Sequence, residues 1–207
     1  MFLIIQKGGP IMVPIILGSV LAFAIVIERL FHLHRAQIDT DKFMMGIKNI
    51  LKKGNIVEAI SICDATPGPI ARILKEGIAK YDKAKEEIKE AIQEAGLVEV
   101  PRLERNLSVL ITIAHIEPLL GLLGTVTGMI KCFMQIEHLH GIVNPSDLAG
   151  GIWEALITTA AGLVVAIPVY VAYNYLIARV EGYILDMEKA ANQLVKIIHG
   201  EESLESR

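Results

Sequence analysis

Three long apolar stretches constrain this chain more than any other feature of its sequence. They lie at about 11–27, 110–136 and 152–176, and each could cross the hydrocarbon core of a bilayer as a helix. Of the 207 residues, 53% are hydrophobic, a larger share than a soluble domain of this length needs to fill its core. We therefore predict an all-α integral membrane protein with three transmembrane helices.

The polar segments predict long helices that extend into the cytoplasm and a small helical cytoplasmic domain. The predicted division is a periplasmic N-terminus and first span at 1–31, a cytoplasmic helical domain at 32–107, the second and third spans at 108–178 with a short periplasmic loop at about 137–150, and a cytoplasmic C-terminal helix at 179–207. This loop has neither lysine nor arginine, whereas the opposite ends of the spans are rich in both. By the positive-inside rule, the N-terminus lies outside and the C-terminus inside.

Two local patterns refine the cytoplasmic helices. Pro101 interrupts a helical pattern that begins near Lys83, so we expect a kink or a break near Val100. The segment after the third span repeats apolar residues at helical spacing, which predicts an amphipathic helix that packs on its neighbours. Its predicted apolar residues are Ile184, Leu185, Met187, Ala191, Leu194, Val195 and Ile198.

The second and third spans carry small residues three or four positions apart, a spacing that lets two helices approach closely in lipid. We predict that these spans form a close-packed hairpin. At helical spacing, one face holds Gly121, Thr125, Gly128 and Cys132, and the other holds Ala155, Thr159, Gly162 and Ala166; Gly124 is assigned to the packing as well. For the glycines and alanines, tight packing is a sufficient explanation.

Threonines in the hairpin suggest more than packing. If the chain turns near Ile142, Thr125 and Thr159 are equally far from the turn and reach one level inside the hydrocarbon. A single membrane threonine can bond a carbonyl of its own helix, and that explanation suffices for an isolated residue. Several threonines at one depth, including Thr158, favour a polar lining for an ion pathway.

Charged residues in the spans have open alternatives. Glu154, about one turn inside the outer end of the third span, lies either on the pathway or at the headgroups. Glu117, in the inner part of the second span, is expected either to face a protein interior or to pair with a basic residue at the cytoplasmic boundary. Lys131 is expected to reach outward or to pair with a carboxylate.

Several classes of function are excluded or disfavoured. A net charge of −3 and 5% aromatic residues give no basic or stacking surface for nucleic acid. The pairs His32/His34 and His138/His140 have no further ligands nearby, so we predict no metal site. No nucleophile–base constellation or phosphate-binding loop is present, so we predict neither an enzyme nor a cofactor.

The hairpin sequences closely resemble those of the ExbB/TolQ/MotA family of inner-membrane proton-channel subunits. The resemblance lies in GLLGTVTGM of the second span, in EALITTAAGLVVAIP of the third, in Tyr173-Asn174, and in the N-terminal KGGPIMVPIILGSVLAFAIVIERL. Three spans fit ExbB and TolQ, because MotA-type members carry four. The chain departs from the family at Glu117, where members commonly have a small residue.

The resemblance implies a homopentamer in the bacterial inner membrane around two copies of an ExbD/TolR-type single-span partner, in contact with lipids and with a TonB- or TolA-type protein. It implies that the partner's aspartate carries the proton, and that Thr125, Thr159 and Glu154 are pathway residues. Proton passage would drive work at the cell envelope, with TonB-type uptake favoured. A Tol-type motor and a non-conducting scaffold for the partner remain alternatives.

Overall fold

The structure is a computed structural model that describes residues 7–140 and 144–199. Within these ranges it contains helices and no strand. The helices are α1 (Met12–Ala36), α2 (Thr40–Lys52), α3 (Ile56–Ala65), α4 (Pro69–Ala79), α5 (Lys85–Glu104), α6 (Leu107–His138) and α7 (Pro145–Ile198).

Three of the helices, α1, α6 and α7, are long and apolar enough to cross a membrane. The mean hydropathy of their most apolar 18-residue windows is 2.1, 1.8 and 2.1, respectively. Large apolar side chains remain exposed along all three, as expected where lipid surrounds a helix. The predicted fold class, all-helical with three membrane-spanning helices, is confirmed.

The chain divides into two compact units. The span unit comprises Met1–Glu28 and Asn106–Tyr175, and the polar unit comprises Arg29–Arg105 and Leu176–Arg207. Both α1 and α7 are unbroken helices that contribute residues to both units. The first and third predicted spans therefore continue into polar sequence without a change of secondary structure. The predicted domain bounds and the membrane orientation stay predictions.

The span unit packs α1 against both helices of the hairpin. A side chain added at Gly8 would lie 3.3 Å from Ile157 of α7, and one at Gly18 would meet Glu117 of α6. The helix α7 begins at Pro145, inside the predicted periplasmic loop. Proline is favoured in the first turn of a helix. The turn position near Ile142 lies outside the described residues.

The polar unit has its own core, built by isoleucines and leucines of α4 and α5 and by the C-terminal part of α7. Buried polar contacts stabilise it further. Glu99, on α5, accepts a hydrogen bond from Arg72 at 2.8 Å and a second from Arg102. Tyr183, on α7, donates to the Leu33 carbonyl at 2.7 Å.

Of the two alternatives predicted near Val100, a kink or a break, the break is wrong. The helix α5 continues through Pro101 to Glu104, and the chain leaves helical geometry at Arg105 and Asn106. Asn106 adopts the left-handed conformation (φ 62°), which asparagine tolerates better than most residues, and its side chain donates to Glu28 at 3.0 Å. A left-handed residue that precedes α6, and not the proline, separates the two helices.

The predicted apolar face of the C-terminal helix is wrong at one residue. Leu185 is 55% exposed. The buried residues of this segment follow a helical stripe through Tyr183, Met187, Ala190 and Leu194. Leu185 lies two residues from the stripe, which places it on the far side of the helix.

Candidate functional site

Glycines hold α6 and α7 at backbone contact distance. A Cβ added at Gly121 would lie 3.0 Å from both the Thr158 carbonyl oxygen and the Thr159 Cα. One added at Gly128 would lie 2.6 Å from the Gly151 carbonyl oxygen. Any side chain at these positions would therefore push the two helices apart.

Thr125 and Thr159 meet inside this contact. Their hydroxyl oxygens are hydrogen-bonded to each other across the two helices. The Thr159 hydroxyl also lies 3.0 Å from the Gly121 carbonyl oxygen on α6 and 3.1 Å from the Ala155 carbonyl oxygen on its own helix. Because a hydroxyl has one proton and two lone pairs, this pair can exchange hydrogen-bond partners without leaving its place.

The same two carbonyls surround the other hydroxyl. Thr125 Oγ1 lies 3.4 Å from both the Gly121 and the Ala155 carbonyl oxygens. Two hydroxyls and two carbonyl oxygens, drawn equally from the two helices, thus form one polar cluster, which we call the hydroxyl pair. Thr125 and Thr159 are both only partly buried.

Thr158 has a different environment from the hydroxyl pair. It is fully buried, its side chain fills the space beside Gly124, and its hydroxyl donates within α7, to the carbonyl of Glu154 (2.9 Å) or of Ala155 (3.0 Å). These contacts are those of a packing residue, and its pathway role stays a prediction. Ala166, like Ala155, is buried.

Glu154 forms an ion pair near the end of the hairpin where its two helices are connected. Its two carboxylate oxygens lie 2.6 and 2.7 Å from the Lys131 ammonium on α6. Beside them is an open cavity of about 520 Å³, whose wall includes Trp153 and Lys7, and the Lys7 ammonium lies 5.5 Å from the Trp153 ring. Of the alternatives for Lys131, the structure selects the carboxylate pair.

Glu117 lies deep in the span unit. It is 2% exposed, and its Oε2 atom has no hydrogen-bond partner. The other carboxyl oxygen lies against Gly18, where α1 has no side chain to obstruct it. The ion pair considered for Glu117 is not formed within the described part of the span unit. Sequence reasoning missed Gly18, whose only signal is a glycine inside an apolar span.

The histidines and cysteines have no catalytic or metal-binding arrangement in the part of the chain that is described. No group of three or more His, Cys, Asp or Glu side chains could hold a metal there. His115 has its ring centroid 6.4 Å from that of Tyr170. Cys63 and Cys132 are both buried and free, and burial raises the pKa of Cys63 to about 11.

Known proteins similar to this chain share its predicted class. It is 32% identical over 198 residues to the putative biopolymer transport protein ExbB-like 1 of Synechocystis, covering 94% of this chain and 77% of that protein. It is 27% identical over 220 residues to the biopolymer transport protein ExbB of Neisseria meningitidis, covering 97% and 98%. A putative ExbB homolog of Methanothermobacter thermautotrophicus is 29% identical over 185 residues, and the chain spans 65% of its length.

A solved structure and a family model complete the comparison. The structure of C. jejuni MotAB matches with a TM-score of 0.60 and 17% identity, covering 88% of this chain and 74% of that one, which shows a shared fold. The model of the MotA/TolQ/ExbB proton channel family matches residues 65–189, a range that includes α6 and the part of α7 up to residue 189. The chain is a multi-pass membrane protein that belongs to the MotA/TolQ/ExbB proton channel family.

Proposed function

We propose that this chain is the proton-channel subunit of an ExbB/TolQ-type motor in the bacterial inner membrane. Five copies surround two copies of an ExbD/TolR-type single-span partner, and proton passage drives work at the outer membrane or cell envelope. TonB-type uptake is the favoured task. The N-terminus is periplasmic and the C-terminus cytoplasmic.

The hydroxyl pair of Thr125 and Thr159 carries this proposal. A proton path through lipid needs groups that both donate and accept hydrogen bonds, and a hydroxyl does both. This pair spans two helices and is partly accessible, so a water or a partner side chain can bond to it. Both carbonyls beside it act as further acceptors.

Glu154 supports an outer mouth for the same path. It lies five residues before Thr159, about 7.5 Å along the axis of α7 at the usual helical rise. Its carboxylate pairs with the Lys131 ammonium beside an open cavity. A proton that arrives from outside would meet this carboxylate before it meets the hydroxyl pair.

The aspartate that titrates in the centre of the pore would come from another chain. The three predicted spans, at about 11–27, 110–136 and 152–176, contain no aspartate. An ExbD/TolR-type partner would bring one on its single helix. The absence of an aspartate here therefore agrees with a two-component device.

A non-conducting scaffold is the second candidate, and one observation favours it. The Thr159 hydroxyl already has an acceptor on α6, the Gly121 carbonyl, so the threonines could serve only to join the helices. A Tol-type motor for envelope maintenance is a third possibility with the same chemistry. Flux measurements separate conduction from scaffolding.

The test uses the complex isolated from its own host through a tag on this chain and placed in liposomes. Proton flux is followed with a trapped pH dye under an imposed potential. Thr159→Val removes the hydroxyl and Glu154→Ala removes the outer carboxylate, so each should reduce flux by about tenfold or more. Thr127→Val is the matched control, because the Thr127 hydroxyl bonds only the Gly124 carbonyl of its own helix.

The outcomes are distinct. Loss of flux in both variants, with normal assembly and a normal Thr127→Val control, supports the pathway. Unchanged flux in a correctly assembled Thr159→Val complex refutes it. A complex that assembles normally but conducts nothing, even without substitution, is a scaffold.

A further inference from the structure

Glu117 is a buried carboxyl that the proposed path does not use. It lies on α6 about 10 Å inside the inner end of the predicted second span, which starts near Leu110, at the usual helical rise. Only 2% of its surface is exposed, and one carboxyl oxygen has no hydrogen-bond partner. An intramembrane carboxyl in such a position is costly, and it marks a functional site more often than a structural one.

All three helices of the span unit contribute to the place where Glu117 lies. On α1, Gly18 leaves room for the carboxyl oxygen, since a Cβ there would collide with it. On α7, Gly162 packs against the Glu117 carbonyl group and brings that backbone close. Ile113, one turn earlier on α6, lines the same space, 3.8 Å from the Cβ position of Gly18. We call this enclosure the Gly18 socket.

No cation of the span unit is available to Glu117. The unit has two lysines and no arginine. Lys131 is paired with Glu154, and Lys7 lies over Trp153. His115, two residues away on the same helix, has its ring beside Tyr170 on α7.

We propose that Glu117 is a proton-binding residue of the subunit. It holds a proton while α1 packs over it in the Gly18 socket, and it releases the proton on the inner side when α1 moves away. Burying an ionised carboxylate without a partner is far more costly than burying a neutral acid, so the packed socket selects the protonated form. The role of Glu117 in conduction rests on the proposed function. The claim that Glu117 binds a proton does not.

Glu117 and the hydroxyl pair both lie where α6 contacts α7. Glu117, Gly121 and Thr125 are four residues apart on α6, so they share one face. Glu117 and Thr125 are separated by eight residues, about 12 Å at the usual helical rise. With Glu154 beyond Thr159, the hairpin has a carboxyl, the hydroxyl pair and a second carboxyl in order along its length.

The first experiment detects the bound proton and does not depend on flux. A hydrophobic carbodiimide adds to a protonated carboxyl. The adduct then rearranges to a stable acylurea, which mass spectrometry locates in the sequence. In membranes that contain the whole complex, Glu117 should be modified and Glu154, whose two carboxylate oxygens bond the Lys131 ammonium, should not. If Glu117 stays unmodified in these membranes, where α1 packs over it, the proposal is wrong.

The second experiment asks whether the proton moves during conduction. Glu117→Gln keeps the shape of the side chain but cannot exchange a proton, so its flux should fall by about tenfold or more, like that of Glu117→Ala. Glu117→Asp retains a carboxyl and should conduct at an intermediate rate. Glu137→Gln, an exposed carboxyl near the other end of α6, is the control and should conduct normally.

The outcomes separate this inference from the function on which it rests. Wild-type flux in Glu117→Gln would show that the side chain only fills space, and would overturn the role in conduction. If the unsubstituted complex conducts nothing, the proposed function fails, whereas carbodiimide modification of Glu117 would still show a bound proton. Loss of flux in Glu117→Gln with normal assembly, together with modification of Glu117, supports both parts.

Discussion

Gly162 gives the sharpest test of the packing on which the hairpin depends. A Cβ at this position would collide with the Glu117 carbonyl oxygen, and it would lie 3.2 Å from the carbonyl carbon and 3.3 Å from the Gly121 Cα. These are backbone atoms, so they cannot swing aside as a flexible side chain would. Gly162→Ala must therefore separate α6 from α7.

Gly150 is the matched control for this substitution. It lies in the same helix and the same unit, and a Cβ there would have nothing within 4 Å. Both substitutions gain about 0.5–1 kcal/mol of helix propensity. Overpacking opposes this gain in Gly162→Ala and destabilises the variant by about 1–3 kcal/mol. Because the propensity gain cancels between the variants, their difference isolates the packing cost of about 1–3 kcal/mol.

The assay is unfolding of the purified protein in mixed micelles by added sodium dodecyl sulfate, with helicity followed by circular dichroism. A cost of 1–3 kcal/mol changes the folded-to-unfolded ratio by about 5-fold to 160-fold, which shifts the midpoint measurably. Equal midpoints for Gly162→Ala and Gly150→Ala would refute the claim that backbone contact at Gly162 joins the two helices.

Three further predictions concern the polar unit. Glu99→Ala should destabilise it by about 2 kcal/mol, because the substitution leaves Arg72 without its carboxylate; thermal unfolding measures this, and an unchanged midpoint would contradict it. Tyr183→Phe should cost about 1 kcal/mol through loss of the bond to the Leu33 carbonyl, and the same assay applies. Cys63, with its pKa raised to about 11 by burial, should be alkylated slowly at pH 8 in the folded protein and rapidly after denaturation; equal rates would show that the thiol is exposed.

The shared depth of Thr125 and Thr159 could be predicted because it depends only on the helical rise and on the position of the turn. Helical rise is constant, and the polar loop fixes where the hairpin turns. Two residues at equal distances from that turn must then lie at one depth. The structure adds what arithmetic cannot give, namely that the hydroxyls face each other and share the Gly121 and Ala155 carbonyls.

The Gly18 socket could not be predicted in this way. Contact between Gly18 and Glu117 depends on the rotation and depth of α1 against the hairpin, and no turn or spacing in the sequence fixes either one. Pair formation with a basic residue was therefore a reasonable alternative for Glu117. The structure instead places one carboxyl oxygen against Gly18 and leaves the other without a hydrogen-bond partner.

Two local errors have simple physical causes. A break of α5 was expected at Pro101, but a proline removes only one hydrogen bond of the helix, and α5 continues through it. The end of α5 depends on Asn106, and a left-handed asparagine is not evident from sequence. Leu185 was assigned to the buried face because several apolar stripes fit the same short segment, and only the neighbouring helices decide which of them is buried.

The central claim is that the hydroxyl at position 159 takes part in proton transfer. It is tested most directly by comparing Thr159→Ser with Thr159→Val in the reconstituted complex. Serine keeps the hydroxyl and loses a methyl group, whereas valine keeps the shape and loses the hydroxyl. The account predicts near-normal proton flux for serine and a loss of about tenfold or more for valine. Equal flux in the two variants, with equal assembly, would contradict it.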